Sequence, residues 1–323
     1  MSSMRPPRQS DVARLTGLSQ ATVSRVLRDD PAVVAETKAR VFAACDELGY
    51  RVSLGGRILA AGRKAIVGLS LSNGVLPTDR YISVVHQHLA TELEATGWGT
   101  VLLPPDAFER RLSDIGAAIL IGVAREDPRL GPLQRYDVPT VAIGHPSGDV
   151  FSVAPDDEAG GRTAAEHLIA RGRRRLVVFS AARDAGDPGL ELRRDAFVRT
   201  AEAADCDVEV HELSHRPTAT LAGYRAGTGL PTTVDGLFCD TDEAAVGAHA
   251  ALCDAGRHVG NDGAISVIGF DDLPGLAEPC GLTTIAQNFA ATVQIATALR
   301  LEAESGAPSR RVLTPVDLIV RRT

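Results

Sequence analysis

From residue 65 onward the chain alternates short apolar runs with helical stretches, and this alternation restricts the fold more than any other feature. IVGLSL (66–71), GTVLLP (99–104), AAILIG (117–122) and VPTVAIG (138–144) are short and largely apolar, and they predict buried parallel strands. Residues 82–97 predict an amphipathic helix between the first two. A second series begins near Val153, with helices over 159–171, 192–204, 219–228 and 243–256. Its strands are expected at 176–181, 207–213, 235–239 and 264–270. Strand and helix in turn mean βαβ units around a parallel sheet. Two such series predict two similar α/β subdomains with a cleft between them.

The first fifty residues have a different texture. Residues 9–50, QSDVARLTGLSQATVSRVLRDDPAVVAETKARVFAACDELGY, predict two short helices and a third that supports them. The first is expected over 11–16 with Ser10 as its N-cap, and the second over 20–27 with Ser19 as its cap. Gly17 supplies the left-handed backbone that a sharp helix-to-helix turn needs. Val12, Leu15, Leu18, Val23, Val26, Val41 and Leu48 are the expected core. Gln20, Ala21, Ser24 and Arg25 are left on the outer face of the second helix, where amide, methyl and guanidinium groups suit base edges in a major groove. The unit is a helix-turn-helix.

Charge divides the same way. Residues 1–64 hold 11 Lys and Arg against 6 Asp and Glu, while the chain as a whole has a formal charge of −7. A basic head on an acidic body fits a nucleic-acid partner for the head alone. No apolar run approaches 18 residues and the first ten carry no apolar stretch, so neither a membrane span nor a secretory signal is expected, and a cytoplasmic location follows. Five cysteines without CxxC spacing predict free thiols, with no metal or cofactor. The eight histidines are scattered, and neither a GxSxG nor a P-loop motif is present, so an α/β enzyme is the weaker reading.

DVARLTGLSQATVSRVL, followed by ELGY at 47–50, resembles the headpiece of the LacI/GalR family of transcriptional regulators. The resemblance implies an all-α helix-turn-helix headpiece over 8–50, a hinge over 51–64 and a periplasmic-binding-protein-like body of two parallel-sheet subdomains. It implies that residues 65–152 with 284–323 form the first subdomain and 153–283 the second. Only 13 residues, 104–116, separate two strands of the first subdomain, so the helix there is expected to be short, within 106–114.

Carried over by position, Gln20, Ala21 and Arg25 are base-reading residues, while Ser19, Thr22 and Ser24 position phosphates or cap the helix. Arg25 has an alternative as a phosphate contact or an ion pair with Asp29. The family's hinge wedges a leucine into the minor groove. Leu59 occupies that position, Arg57 could serve the backbone, and Gly55 and Gly56 weaken the hinge helix. The expected partners are a pseudo-palindromic DNA operator, a second copy of the chain and a small polar effector.

In the cleft, Arg193 (ELRRDAF) and Asp271 (GFDDLP) stand at the family's effector-binding arginine and aspartate. Thr241 and Asp157 stand where asparagine is usual. Ser70, Ser72 and Tyr81 are the candidates from the first subdomain. A carboxylate facing a guanidinium suits vicinal hydroxyls, so a sugar or polyol is expected, with a purine or nucleoside, or a degenerate site, as alternatives.

Overall fold

A computed structural model describes residues 9–27, 32–48, 65–72, 79–105, 108–182, 186–214, 218–260, 262 and 265–323. The head comprises α1 (Gln9–Thr16), α2 (Gln20–Leu27) and α3 (Ala35–Leu48). Gly17 has φ +66°, and the Leu18 amide donates back to the Ala13 carbonyl, closing the turn. Val12, Ala13, Val23, Val26, Val41, Ala44 and Cys45 form the buried core, with Leu18 and Leu48 packed at its margin. Two expectations fail. Ser10 lies inside α1 rather than capping it, since the helix begins at Gln9. Leu15 is 45% exposed, because the small Ala13 fills the position facing the other helices.

Among the described residues the body forms two six-stranded sheets. The first runs in the order β11-β5-β4-β3-β1-β2, all parallel, from β1 (Ile66–Leu71), β2 (Gly99–Leu103), β3 (Ala117–Ile121), β4 (Thr140–Ile143), β5 (Phe151–Pro155) and β11 (Arg311–Thr314). The second runs β12-β10-β9-β8-β6-β7, from β6 (Arg175–Ala181), β7 (Asp207–Leu213), β8 (Gly236–Cys239), β9 (Ser266–Asp271), β10 (Thr283–Gln287) and β12 (Val316–Ile319). Only β12 is antiparallel to its neighbour in this sheet.

Helices cover both faces of each sheet, as burial of parallel strands requires. One face of the first sheet packs Leu89 and Leu93 of α4 (Arg80–Ala95) and Val293 and Leu299 of α11 (Phe289–Glu304). Its other face takes Phe108 of the four-residue α5 (Phe108–Arg111), Leu112 of a 3-10 turn and Leu133 of α6 (Leu130–Arg135). The short connection expected before β3 is thus one helical turn and a 3-10 turn. On the second sheet, α7 (Asp157–Ala170) and α8 (Pro188–Ala203) cover one face and α9 (Ala219–Thr228) and α10 (Asp242–Asp254) the other.

The boundary expected between 283 and 284 is displaced. Residue 284 lies inside β10, which pairs with β9 in the second sheet, and β12 also belongs there. Likewise β5 stays in the first sheet through Pro155. The chain therefore crosses between sheets three times, after β5, after β10 and between β11 and β12. The first and third crossings lie side by side, with the Asp156 amide donating to the Thr314 carbonyl at 2.9 Å. Thr314 Oγ1 donates to the Ala154 carbonyl at 3.3 Å and meets Thr292 Oγ1 at 3.3 Å, which ties in the helix after the second crossing.

Candidate functional site

The outward face of α2 is built by its cap and its core. The Thr22 amide donates to Ser19 Oγ at 3.1 Å, and the two hydroxyls lie 2.9 Å apart, so Ser19 caps the helix. Val23 and Val26 point inward and leave Gln20, Ala21 and Arg25 exposed on one face, with Ser24 half-buried beside them. The Gln20 carbonyl accepts from Gln9 Nε2 at 3.4 Å, so its side-chain amide is not used in that contact. Arg57 and Leu59, with the glycines of the hinge, lie outside the described residues, as does Asp29.

The second constellation lies where the carboxyl ends of the strands face each other across the cleft, the position at which open α/β sheets hold ligands. Arg193 is at its centre and only 6% exposed. Gly161 of α7 allows the approach that puts it there, because a Cβ at that position would stand 2.0 Å from the Arg193 carbonyl oxygen. Arg193 Nε donates to Asp157 Oδ1 at 2.6 Å, and Nη1 donates to the Asp240 carbonyl at 2.7 Å and to Asp271 Oδ1 at 3.4 Å. Its guanidinium lies 3.6 Å above the centre of the Phe270 ring. Burial disfavours its charge, but Asp157, Asp271 and Asp187 outweigh that and raise its pKa.

Asp271 also accepts from Gln287 Nε2 at 2.5 Å. It holds φ +117° and is followed by Asp272 at +55°, backbone that non-glycine residues rarely adopt and that clusters at functional sites. Burial pushes its carboxyl well above the ordinary value, against the pull of Arg193. Asp242, at the start of α10, fixes this strained turn by accepting from the Leu273 amide at 2.7 Å and the Thr284 hydroxyl at 2.6 Å.

Asp157 joins the two subdomains. Its second oxygen meets His145 Nε2 at 2.7 Å, and His145 follows β4 of the first sheet. Burial opposes the Asp157 charge, yet Arg193 and His145 hold the carboxyl below its usual range. Two further contacts bridge the cleft mouth. Arg80 Nη1 donates to the Pro274 carbonyl at 3.3 Å, and Arg125 pairs with Glu191 at 3.4 Å. Tyr81 rests edge-on against Phe289, ring centres 5.7 Å apart. Burial and then the charge of Asp271 raise its phenol pKa.

Of the seven residues named for this cleft, Tyr81, Asp157, Arg193 and Asp271 come together. Ser70 does not present itself to a ligand. It is fully buried beneath Arg129, whose Nη1 donates to the Ser70 carbonyl at 2.7 Å and approaches its hydroxyl at 3.5 Å. Asp127 holds that guanidinium bidentately at 2.8 and 2.7 Å. Thr241 is the N-cap of α10, its hydroxyl accepting from the Ala244 amide at 3.3 Å, which commits one lone pair. Ser72 is half-buried beyond the end of β1. His145, Asp187, Phe270 and Gln287 are the members that sequence reasoning missed. The proline after Asp187, at the first position of α8, was an available helix-start signal.

Two family models match the chain, the lacI family of bacterial regulatory proteins over residues 10–53 and a periplasmic binding protein-like domain over 165–323. The HTH-type transcriptional regulator reg1 of Streptomyces lividans is 31% identical, over 97% of this chain and 95% of its own length. Among solved structures, a CelR–cellobiose complex aligns with a TM-score of 0.69 at 24% identity, covering 98% of this chain and 99% of its own. The lac repressor dimer bound to operator and the anti-inducer ONPF aligns at 0.72 and 22%, covering 99% of both chains, so the fold is shared from head to body. Among the described residues no helix is long and apolar enough to cross a membrane. With a relative of this identity over nearly its whole length, a lacI-type head and a two-sheet body, the chain belongs to the lacI family of transcriptional regulators.

Proposed function

We propose that the protein is a dimeric repressor that reads a pseudo-palindromic operator with α2 and is controlled by a small polar effector, a sugar or polyol, in the cleft. The observation that carries the reading is the capped α2, with Gln20, Ala21 and Arg25 exposed over a buried valine pair. Arg25 would take guanine through its paired donors, Gln20 adenine, and Ala21 the thymine methyl. One head has little specific affinity, and a two-fold pair reads two half-sites. Leu59 and Arg57 would act in the hinge, as minor-groove wedge and backbone contact.

The cleft supports control by ligand because its central residues stand at the crossings between the subdomains. Asp157 follows the first crossing and Gln287 precedes the second, and both touch the Arg193–Asp271 pair. A ligand drawing on these groups binds one relative arrangement of the subdomains better than another, and only that difference can shift the equilibrium. The lac repressor relative is a dimer on operator and the CelR relative holds cellobiose, which supports a sugar over a nucleoside here.

Selection from random duplexes with the full-length protein tests the DNA reading. The expected product is a two-fold site, and Arg25→Ala should weaken it by about 1–3 kcal/mol and relax preference at one position per half-site. Recovery of sequences with no shared motif would contradict the assignment.

A further inference from the structure

Arg193 and Arg194 are consecutive on α8 and serve different places. Arg193 meets the cleft residues, whereas Arg194 lines a groove of about 530 Å³ together with Asp195, Val198, Arg199, Val210 and Glu212. The groove runs between α8 and β7, the edge strand of the second sheet. Its volume falls within the range of about 300–1,000 Å³ in which small molecules are held.

The side chain of Arg194 is 2% exposed, and Asp195 Oδ1 accepts from its Nε at 2.9 Å. Neither terminal nitrogen has a hydrogen-bond partner among the described residues, and Nη2 is completely buried. A guanidinium carries five N–H donors in a fixed fork, so four of them lack an acceptor here. Buried polar groups are nearly always hydrogen-bonded, and a buried donor left over on the wall of a groove points to an acceptor that the fold itself does not supply. The neighbouring Arg199 is exposed and already paired with Glu158 at 2.7 Å. Arg183 and Arg216, which follow β6 and β7 in the sequence, lie outside the described residues.

The rest of the lining selects the acceptor. A guanidinium fork matches a carboxylate or a phosphate. Asp195 and Glu212 stand on the same groove, and they repel a phosphate, with its larger charge, more than a singly charged carboxylate. Val198 is half-buried and Val210 is 40% exposed, so the groove offers an apolar wall beside the charged end. We propose that this groove is a second small-molecule site, outside the cleft, for a short organic acid. Its carboxylate lies on the Arg194 fork and its branched apolar chain covers Val198 and Val210. The occupant rests on the same helix as Arg193, the arginine proposed to hold the effector.

The test is calorimetric titration of the full-length protein, at fixed pH and ionic strength, with isovalerate, acetate, the neutral amide isovaleramide and inorganic phosphate. Isovalerate should bind about tenfold or more tightly than isovaleramide, because the charge-assisted hydrogen bonds go with the charge. It should also bind more tightly than acetate, which leaves the valines uncovered. Glu212→Gln changes an exposed residue and should tighten isovalerate about two- to fivefold by removing a like charge. Arg194→Leu, shown folded by its thermal transition, should abolish binding. Phosphate or the amide binding as well as isovalerate, or isovalerate binding undiminished in Arg194→Leu, would overturn the assignment. Where Arg194→Leu does not fold, an unchanged isovalerate affinity in Glu212→Gln would overturn it. Wild type that binds no isovalerate would overturn it too, and a lowered thermal midpoint in Glu212→Gln would then make Glu212 the partner of Arg194.

Discussion

At the scale of single residues, the cleft depends on buried charges held by specific partners. Removing one member of a buried pair leaves the other uncompensated, at a cost of roughly 3–5 kcal/mol. Asp157→Ala should therefore lower the thermal midpoint markedly, since it strands Arg193 and removes the His145 contact. Asp242 gives a pH signature of the opposite kind. Burial pushes its carboxyl up to about 7 despite the donors from Thr284 and Leu273. A raised folded pKa contributes stability in full below the unfolded value of about 4, and this is lost as pH rises toward 7. Wild-type protein should lose stability relative to Asp242→Asn between pH 5 and pH 7, measured as thermal midpoints in matched buffers. A constant difference over that range would assign the cost elsewhere. Arg193 and Asp271 were legible in the sequence because each sits in a local motif, ELRRDAF and GFDDLP. Ser70 was misread because the residue that covers it, Arg129, lies 59 positions further along the chain.

At the scale of elements, two close approaches carry the function. The Ser19 cap starts α2 at the position that leaves Gln20, Ala21 and Arg25 outward, so Ser19→Ala should cost the head about 1 kcal/mol. The same variant should weaken DNA binding without altering ligand binding in the cleft. In the body, Gly161 lets α7 lie against the backbone of Arg193. Gly161→Ala places a methyl group where backbone already stands, and overpacking costs typically about 1–3 kcal/mol. Here the displaced group is Arg193, the arginine proposed to hold the effector, so ligand affinity should fall along with the thermal midpoint. Most strands and helices were visible in the sequence because burial on both faces gives parallel strands continuous apolar runs. The α11 helix and the pairing of β10 and β12 were not visible. Their partners are chosen by which sheet edge is open, a property of the assembled fold rather than of the segment.

At the scale of the whole molecule, three crossings link the subdomains, and two of them carry cleft residues, Asp157 and Gln287. Closure around a ligand and the relative position of the two sheets are therefore one equilibrium. The His145–Asp157, Arg80–Pro274 and Arg125–Glu191 contacts join the two sides of the cleft in this arrangement. The account stands on the link between the cleft and the DNA-reading head, and fluorescence anisotropy on a labelled selected duplex at fixed salt measures that link. The full-length protein should bind this duplex at least 10³-fold, roughly the lower range for specific sites, more tightly than a scrambled one. One compound of a sugar and polyol panel should shift that affinity in wild type, and the shift should vanish in Arg193→Ala. Equal affinity for both duplexes, or a specific affinity that no compound changes, would contradict the account.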